Sequence, residues 1–251
     1  MKVMYVVPGP MDPAEAARRG GLLKQWAAPG TSVEIMTMKE GPASIESMYE
    51  EYLSIPHVAK AMYQLEQQGY DAAILGCAGD PGLDAYREIT ARMYVVGPAS
   101  CSFHAAAMLG HRFSLLTVAD SMISSSHELV AKSGLTDKLA SVRAVNIPVL
   151  ELANNREETL AKLIGIGREA MEKDRADVLV LGCMSMGFLN VAEEMQEALG
   201  IPVVNPSKVC LKMAEALVSI GLIHSKKAYA LPPKLASGKV KSLDELLVSR
   251  S

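Results

Sequence analysis

The sequence predicts an α/β fold made of two similar lobes with a cleft between them, and three observations carry that reading. Short apolar runs closed by glycine or proline alternate with longer amphipathic segments, the pattern of strand-helix units around a parallel sheet. The order and spacing of these units occur twice. The heptapeptides Asp71-Ala-Ala-Ile-Leu-Gly-Cys77 and Asp177-Val-Leu-Val-Leu-Gly-Cys183 also superpose at a shift of 106 residues, a domain-sized period that points to duplicated lobes rather than a solenoid.

In chain order, Val3 to Val7 reads as the first strand. It follows a single lysine, ends at Pro-Gly-Pro, and is too short for a signal-peptide core of about 7 to 15 residues. Strands at Val33 to Met36, Ala72 to Leu75 and Tyr94 to Val96 complete a first four-stranded sheet, with helices near Ala14 to Ala27, Ser44 to Gln68 and Leu83 to Arg92. The second set places strands at Phe113 to Val118, Val142 to Val145, Val178 to Leu181 and Pro202 to Val204. Its helices lie near Ser124 to Ser133, Asn155 to Lys173 and Leu189 to Leu199. Leu83 and Leu189, and Glu88 and Glu194, keep the register of the repeat. With small gaps, Ser32-Val33 matches Ser141-Val142 and Gly97-Pro98 matches Asn205-Pro206. The expected division is residues 1–98 for the first lobe, completed by the C-terminal segment 207–251, and residues 99–206 for the second.

Composition sets limits on function. The 251 residues carry a net charge of −3 and a pI near 6.0, which gives no electrostatic footprint for nucleic acid. Lys226, Lys227, Lys234, Lys239 and Lys241 form the one basic bias, read as a solvated tail. No run approaches the roughly 18 to 20 apolar residues of a membrane span, so a soluble, cytoplasmic protein is expected. Cys77, Cys101, Cys183 and Cys210 lie 24, 82 and 27 residues apart, which excludes CxxC pairs and implies free thiols. The five histidines lack metal-ligand spacing, and Glu34, Glu40, Glu46, Glu50 and Glu51 read as surface or helix-start charges, so no metal site is expected. Gly76 to Gly82 contains neither GxGxxG nor a Walker pattern.

What remains is a pair of Gly-Cys junctions. In a parallel α/β sheet the carboxyl ends of strands and the following helix starts form the binding edge, so Cys77 and Cys183 both face ligand space. Asp80-Pro81 offers an N-cap and a first-turn proline, and the positive helix end would favour a thiolate at Cys77. A cysteine ending a buried strand can be a mere small hydrophobe, but the same residue at the same place in both lobes favours chemistry. Two such thiols, one ionised and one protonated, suit removal of a proton from one face of a carbon and delivery to the other: racemisation or epimerisation. Cys101 and Cys210 fall in helices, where packing explains them.

The run from Glu66 to Glu88, with its core Cys77-Ala-Gly-Asp-Pro-Gly-Leu83, resembles the first-cysteine region of hydantoin and allantoin racemases, within the aspartate/glutamate/hydantoin racemase superfamily. Leu109-Gly110-His111-Arg112-Phe113-Ser114, Leu181-Gly-Cys-Met-Ser-Met186 and Gly200-Ile-Pro-Val-Val-Asn-Pro206 are similar to segments of the same family, so the resemblance spans most of the chain. It implies two Rossmann-like lobes and Cys77 and Cys183 as the acid/base pair. It also implies no cofactor, pyridoxal phosphate or metal, a small-molecule substrate, and a homo-oligomer. The substrate would be a 5-substituted hydantoin, allantoin or an amino-acid derivative. Backbone amides around Ala78, Gly79 and Asp80 and around Met184 and Ser185 would hold its carbonyl oxygen. Pro8 and Thr117 would line the cleft, although the Thr117 hydroxyl could equally cap a turn. One departure stands out: the family's first strand usually ends in Asn-Pro-Asn followed by Ser or Thr, and here Val7-Pro8-Gly9-Pro10 stands instead.

Two other readings compete. Related proteins of this fold use one or two cleft cysteines to decarboxylate malonates or isomerise maleate; loss of one cysteine would favour the decarboxylase, and both are present. A non-catalytic small-molecule binding protein on the same scaffold is suggested by the altered first-strand end.

Overall fold

The computed structural model describes residues 1–246, so the last five residues of the expected C-terminal segment lie outside the described part. Two parallel four-stranded sheets share one topology. The first, in the order β2-β1-β3-β4, contains β1 (Lys2–Val7), β2 (Ser32–Thr37), β3 (Ala72–Leu75) and β4 (Tyr94–Val96). The second, β6-β5-β7-β8, contains β5 (Phe113–Thr117), β6 (Leu139–Ala144), β7 (Val178–Leu181) and β8 (Val203–Val204). Val3 lies opposite Ala72 as Phe113 lies opposite Val178, so the repeat seen in the sequence is a repeat of register as well.

Apart from Lys2 at the start of β1, every central-strand residue is buried because each sheet is covered on both faces, the usual condition of parallel sheets. On the first sheet, α2 (Met48–Gln67) and α3 (Leu83–Ile89) cover one face through Val58, Met62, Leu65 and Tyr86. The other face carries α1 (Pro13–Trp26) and α9 (Pro206–Ser219). On the second sheet, α6 (Arg156–Asp174) and α8 (Ala192–Leu199) pack one face, and α4 (Pro98–Leu109) with α5 (Ile123–Lys132) the other. The assignment is crossed: α4 leaves the last strand of the first sheet and packs on the second, whereas α9 leaves the last strand of the second and packs on the first. The two helices touch, bringing Cys101 and Cys210 into buried contact.

The helix starts obey local chemistry. Asp12 caps α1 by accepting from the amides of Ala14 and Glu15 at 2.9 and 3.2 Å, with Pro13 in the first turn. Asn205 caps α9 in the same way, ahead of Pro206.

Several boundaries differ from expectation. The helix expected from Ser44 starts only at Met48, where Ser47 caps it, and residues 42–45 are irregular. The strand expected at Val142 begins at Leu139, because β6 is a partly exposed edge strand whose Arg143 pairs with Asp174 and hides the apolar alternation. A register shift between Phe113 and Ser114 sets Val142 opposite Leu115, whereas Val33 lies opposite Val3, so the gapped match of these two valines is two residues out. The helix expected from Leu189 starts only at Ala192 as α8, and an unexpected short helix, α7 (Met184–Phe188), precedes it, the two separated where Asn190 takes φ 56°. The basic C-terminal stretch is not wholly a solvated tail: the His224 ring stacks on Tyr94 and accepts from the Val95 amide, and Lys226 donates to the carbonyls of Arg87 and Glu88.

Both Gly-Cys junctions need their glycine. Gly76 donates its amide to the Val6 carbonyl and Gly182 to that of Leu116, each at 2.8 Å, as the chain leaves the sheet across the neighbouring strand. A Cβ there would stand 2.5 Å from the Val6 oxygen or 2.8 Å from the Leu116 oxygen, closer than real contacts allow. These crossings aim Cys77 and Cys183 at the cleft.

Candidate active site

A cavity of about 400 Å³ lies between the carboxyl ends of the two sheets, and Cys77 and Cys183 are both on its wall. Of the residues expected to line it, Pro8, Ala78, Gly79, Thr117, Met184 and Ser185 do so. Asp80 does not. Its carboxylate is buried and accepts from the amides of Ala99 and Ser100 at 2.9 and 3.0 Å, so it caps α4, the helix after the next strand, rather than the one that follows it in sequence. The helix after Cys77 starts at Leu83, with Gly82 at its cap position in the left-handed region. Asp80 itself takes φ 51° to make the turn.

The two cysteines therefore sit in unlike surroundings despite the repeat. Gly79, Pro81 and Gly82 keep the chain after Cys77 out of helical conformation, whereas Met-Ser-Met-Gly-Phe after Cys183 forms α7 with Cys183 at its cap position. Burial pushes the Cys183 thiol up, opposed by the amides of Met186 and Ser185, the Arg19 charge and the Ser185 hydroxyl. Burial pushes Cys77 up as well, the Glu51 carboxylate adds to it, and the Gly79 amide, 3.5 Å from the sulfur, is the main opposing contact. The expectation of a helix end favouring the thiolate at Cys77 is thus not met, and the groups that favour a thiolate gather at Cys183.

Sequence reasoning missed the charged groups of the cavity. Arg18 and Arg19 reach it from α1, both paired with Glu15 at 2.7 Å. Those pairs hold the Glu15 carboxyl down at about 2, the Arg18 hydrogen bond contributing most. Arg19 also donates to the Ser185 hydroxyl at 3.0 Å and lies over the Phe188 ring, bringing a guanidinium to the Cys183 side. The pair of arginines in the helix that follows the altered first-strand end, eight residues past Pro10, is the available signal.

Glu51, read from sequence as a surface or helix-start charge, is buried at 7% exposure and lines the cavity from α2. Burial, with the Asp80 charge behind it, pushes its carboxyl up to about 7. A carboxyl whose folded pKa exceeds its unfolded value stabilises the fold fully below the unfolded pKa and loses that contribution as pH rises through the folded one. Glu51→Gln should therefore leave stability near pH 4 unchanged and raise it by up to about 3 kcal/mol at pH 8, from a shift worth about 1.4 kcal/mol per pH unit. Chemical denaturation of both proteins at the two pH values checks this, and equal midpoints at pH 8 would contradict it.

Among the described residues, no three His, Cys, Asp or Glu side chains gather where they could hold a metal ion, and no helix is long and apolar enough to cross a membrane. Residues 21–214 match the family described as Asp/Glu/Hydantoin racemase. The chain is 37% identical over 212 residues to a hydantoin racemase of Pseudomonas sp. (strain NS671), covering 84% of each protein. It is 33% identical to a hydantoin racemase of Paenarthrobacter aurescens over 81% of this chain and 85% of that one. Among solved structures, an allantoin racemase from Klebsiella pneumoniae superposes with a TM-score of 0.86 at 29% identity, covering 93% of this chain and 94% of that one.

Proposed function

The chain belongs to the Asp/Glu/hydantoin racemase family and is a racemase, and from that premise we propose that Cys77 and Cys183 act as its acid/base pair on a small substrate with a carbonyl-activated C–H. The substrate class is a cyclic ureide such as a 5-substituted hydantoin or allantoin, in line with what the similar proteins are named for. The observation that carries the reading is the pair of thiols placed by equivalent strand ends on one cavity wall.

Burial keeps both thiols up, and of the two Cys183 ionises the more readily, so it serves as the base and Cys77 as the acid. Arg19, the Ser185 hydroxyl and two backbone amides favour charge at Cys183, whereas at Cys77 burial is opposed mainly by the single Gly79 amide. Cys183 takes the proton from the stereocentre and Cys77 delivers one to the opposite face, leaving the opposite charge state ready for the other enantiomer. The enolate's negative oxygen is held by hydrogen-bond donors of the cavity wall.

Incubation of single enantiomers of 5-substituted hydantoins, allantoin and N-carbamoyl amino acids in D2O, followed by polarimetry and NMR, tests the reading. Loss of rotation should accompany deuteration at the stereocentre. Retained rotation across the panel would exclude it. If a panel ligand then protected Cys183 from iodoacetamide, the binding-protein reading would replace it.

A further inference from the structure

The cavity wall carries three carboxyl side chains from α1 and α2 and their caps, and two of them are occupied. Asp12 accepts from backbone amides, and Glu15 accepts from two arginines. Glu51 is more than nine-tenths buried, yet it accepts no hydrogen bond and makes no ion pair with any described residue. A carboxyl that opens into a cavity from a buried residue and finds no protein partner there is placed to pair with what the cavity holds. Its Oε1 rests so closely on Gly79 that no Cβ would fit there, and the Gly79 amide points at the Cys77 sulfur. A molecule paired with Glu51 is thereby set against Cys77.

We propose that Glu51 is the substrate-recognition residue of the cleft, its protonated carboxyl pairing through two parallel hydrogen bonds with the adjacent N–H and C=O of a lactam or cyclic ureide. A carboxylic acid presents one donor and one acceptor side by side, the complement of a ring amide held cis. An open-chain secondary amide, trans by preference, points its N–H and C=O apart and can offer only one of the two. The O–H directed at the carbonyl oxygen would also stabilise negative charge there as the neighbouring C–H ionises, while the proton stays on Glu51. The surroundings favour the protonated form: Asp80 and Cys77 lie on one side, and across a small adjoining cavity Glu128 and Lys132 project from α5, with Lys132 already paired to Asp84. Burial and Asp80 push the Glu51 carboxyl up to about 7.

The chemistry at the stereocentre rests on the racemase reading, but recognition is measurable as binding alone. Titration calorimetry at pH 6 with unsubstituted hydantoin should give an affinity that Glu51→Ala lowers at least about 10-fold, the effect of losing hydrogen bonds in a desolvated site. Glu51→Gln, whose amide keeps one donor and one acceptor, should stay within about 5-fold of the wild type and report that the fold is intact. 1,3-Dimethylhydantoin, which has no N–H, should be bound no better by the wild type than by Glu51→Ala. Wild-type affinity should fall from pH 6 to pH 8.5 as Glu51 ionises, and that fall should be absent in Glu51→Gln. Unchanged hydantoin affinity in Glu51→Ala, or no binding by the wild type, would overturn the proposal. Binding that depends on Glu51 without racemisation would overturn the catalytic reading and leave this one standing.

Discussion

Replacing either Cys77 or Cys183 with serine should reduce racemisation in both directions by at least about 100-fold, the lower end of general acid/base contributions. Each enantiomer needs one residue to take its proton and the other to supply one, and a serine hydroxyl is too weak an acid and its alkoxide too scarce at neutral pH to do either. The two variants should still differ. Cys77→Ser keeps Cys183 with its amides, Ser185 and Arg19, so it should exchange deuterium into one enantiomer without inverting it. Cys183→Ser keeps only Cys77, raised by burial with the Gly79 amide as its main opposing contact, so its exchange into the opposite enantiomer should be markedly slower. NMR of each enantiomer in D2O separates exchange from inversion. Substantial racemisation by either variant would mean that one of the two bases is misassigned, and equal exchange rates would remove the case for Cys183 as the more readily ionised thiol.

The fold was legible because its strongest signals are local and doubled. Buried strands of a parallel sheet read as continuous apolar runs, and Ala72–Leu75 and Val178–Leu181 were found with their observed bounds. The edge strand β6 was harder to place because its polar residues answer to solvent and to Asp174 rather than to a core. Of the site, the parts that lie next to the duplicated cysteines in sequence could be read off: Ala78, Gly79, Met184 and Ser185. Pro8 and Thr117, at the ends of the first strand of each set, were legible too, whereas the charged groups that converge from α1 and α2 were not. Asp80 looks like the cap of its own helix, and only the fold shows that the amides of Ala99 and Ser100, about twenty residues on, claim it. Glu51 sits in a run of glutamate and tyrosine whose tyrosines, Tyr49 and Tyr52, are exposed. Its burial depends on how α2 lies over the Cys77 loop, which no periodicity in a mixed helix reveals.

Gly76→Ala should be among the most damaging single-methyl additions this chain can receive, and it should harm activity more than stability. The added Cβ would meet the Val6 carbonyl oxygen at 2.5 Å and the Val7 Cα at 3.0 Å, both backbone atoms of the central strand β1. Neither can swing away as a side chain could, so the loop that carries Cys77 must lift. Overpacking of this kind costs about 1 to 3 kcal/mol, or roughly 3 to 10 °C in Tm for a chain of this size. A shift of about 1 Å in a reacting group can by itself cost about 100-fold in rate, so racemisation should fall at least that far while most of the protein stays folded. Gly182→Ala should be milder, because its contacts are the Leu116 oxygen at 2.8 Å and the Leu115 side chain at 3.0 Å, the second of which can rotate. Gly21→Ala, in α1 with open space at its Cβ, serves as the control and should gain a few tenths to about 1 kcal/mol from helix propensity. Thermal denaturation and racemisation rates for the three variants decide the matter: a Gly76→Ala enzyme within about 10-fold of wild-type activity would show that the Cys77 thiol does not depend on this crossing for its position.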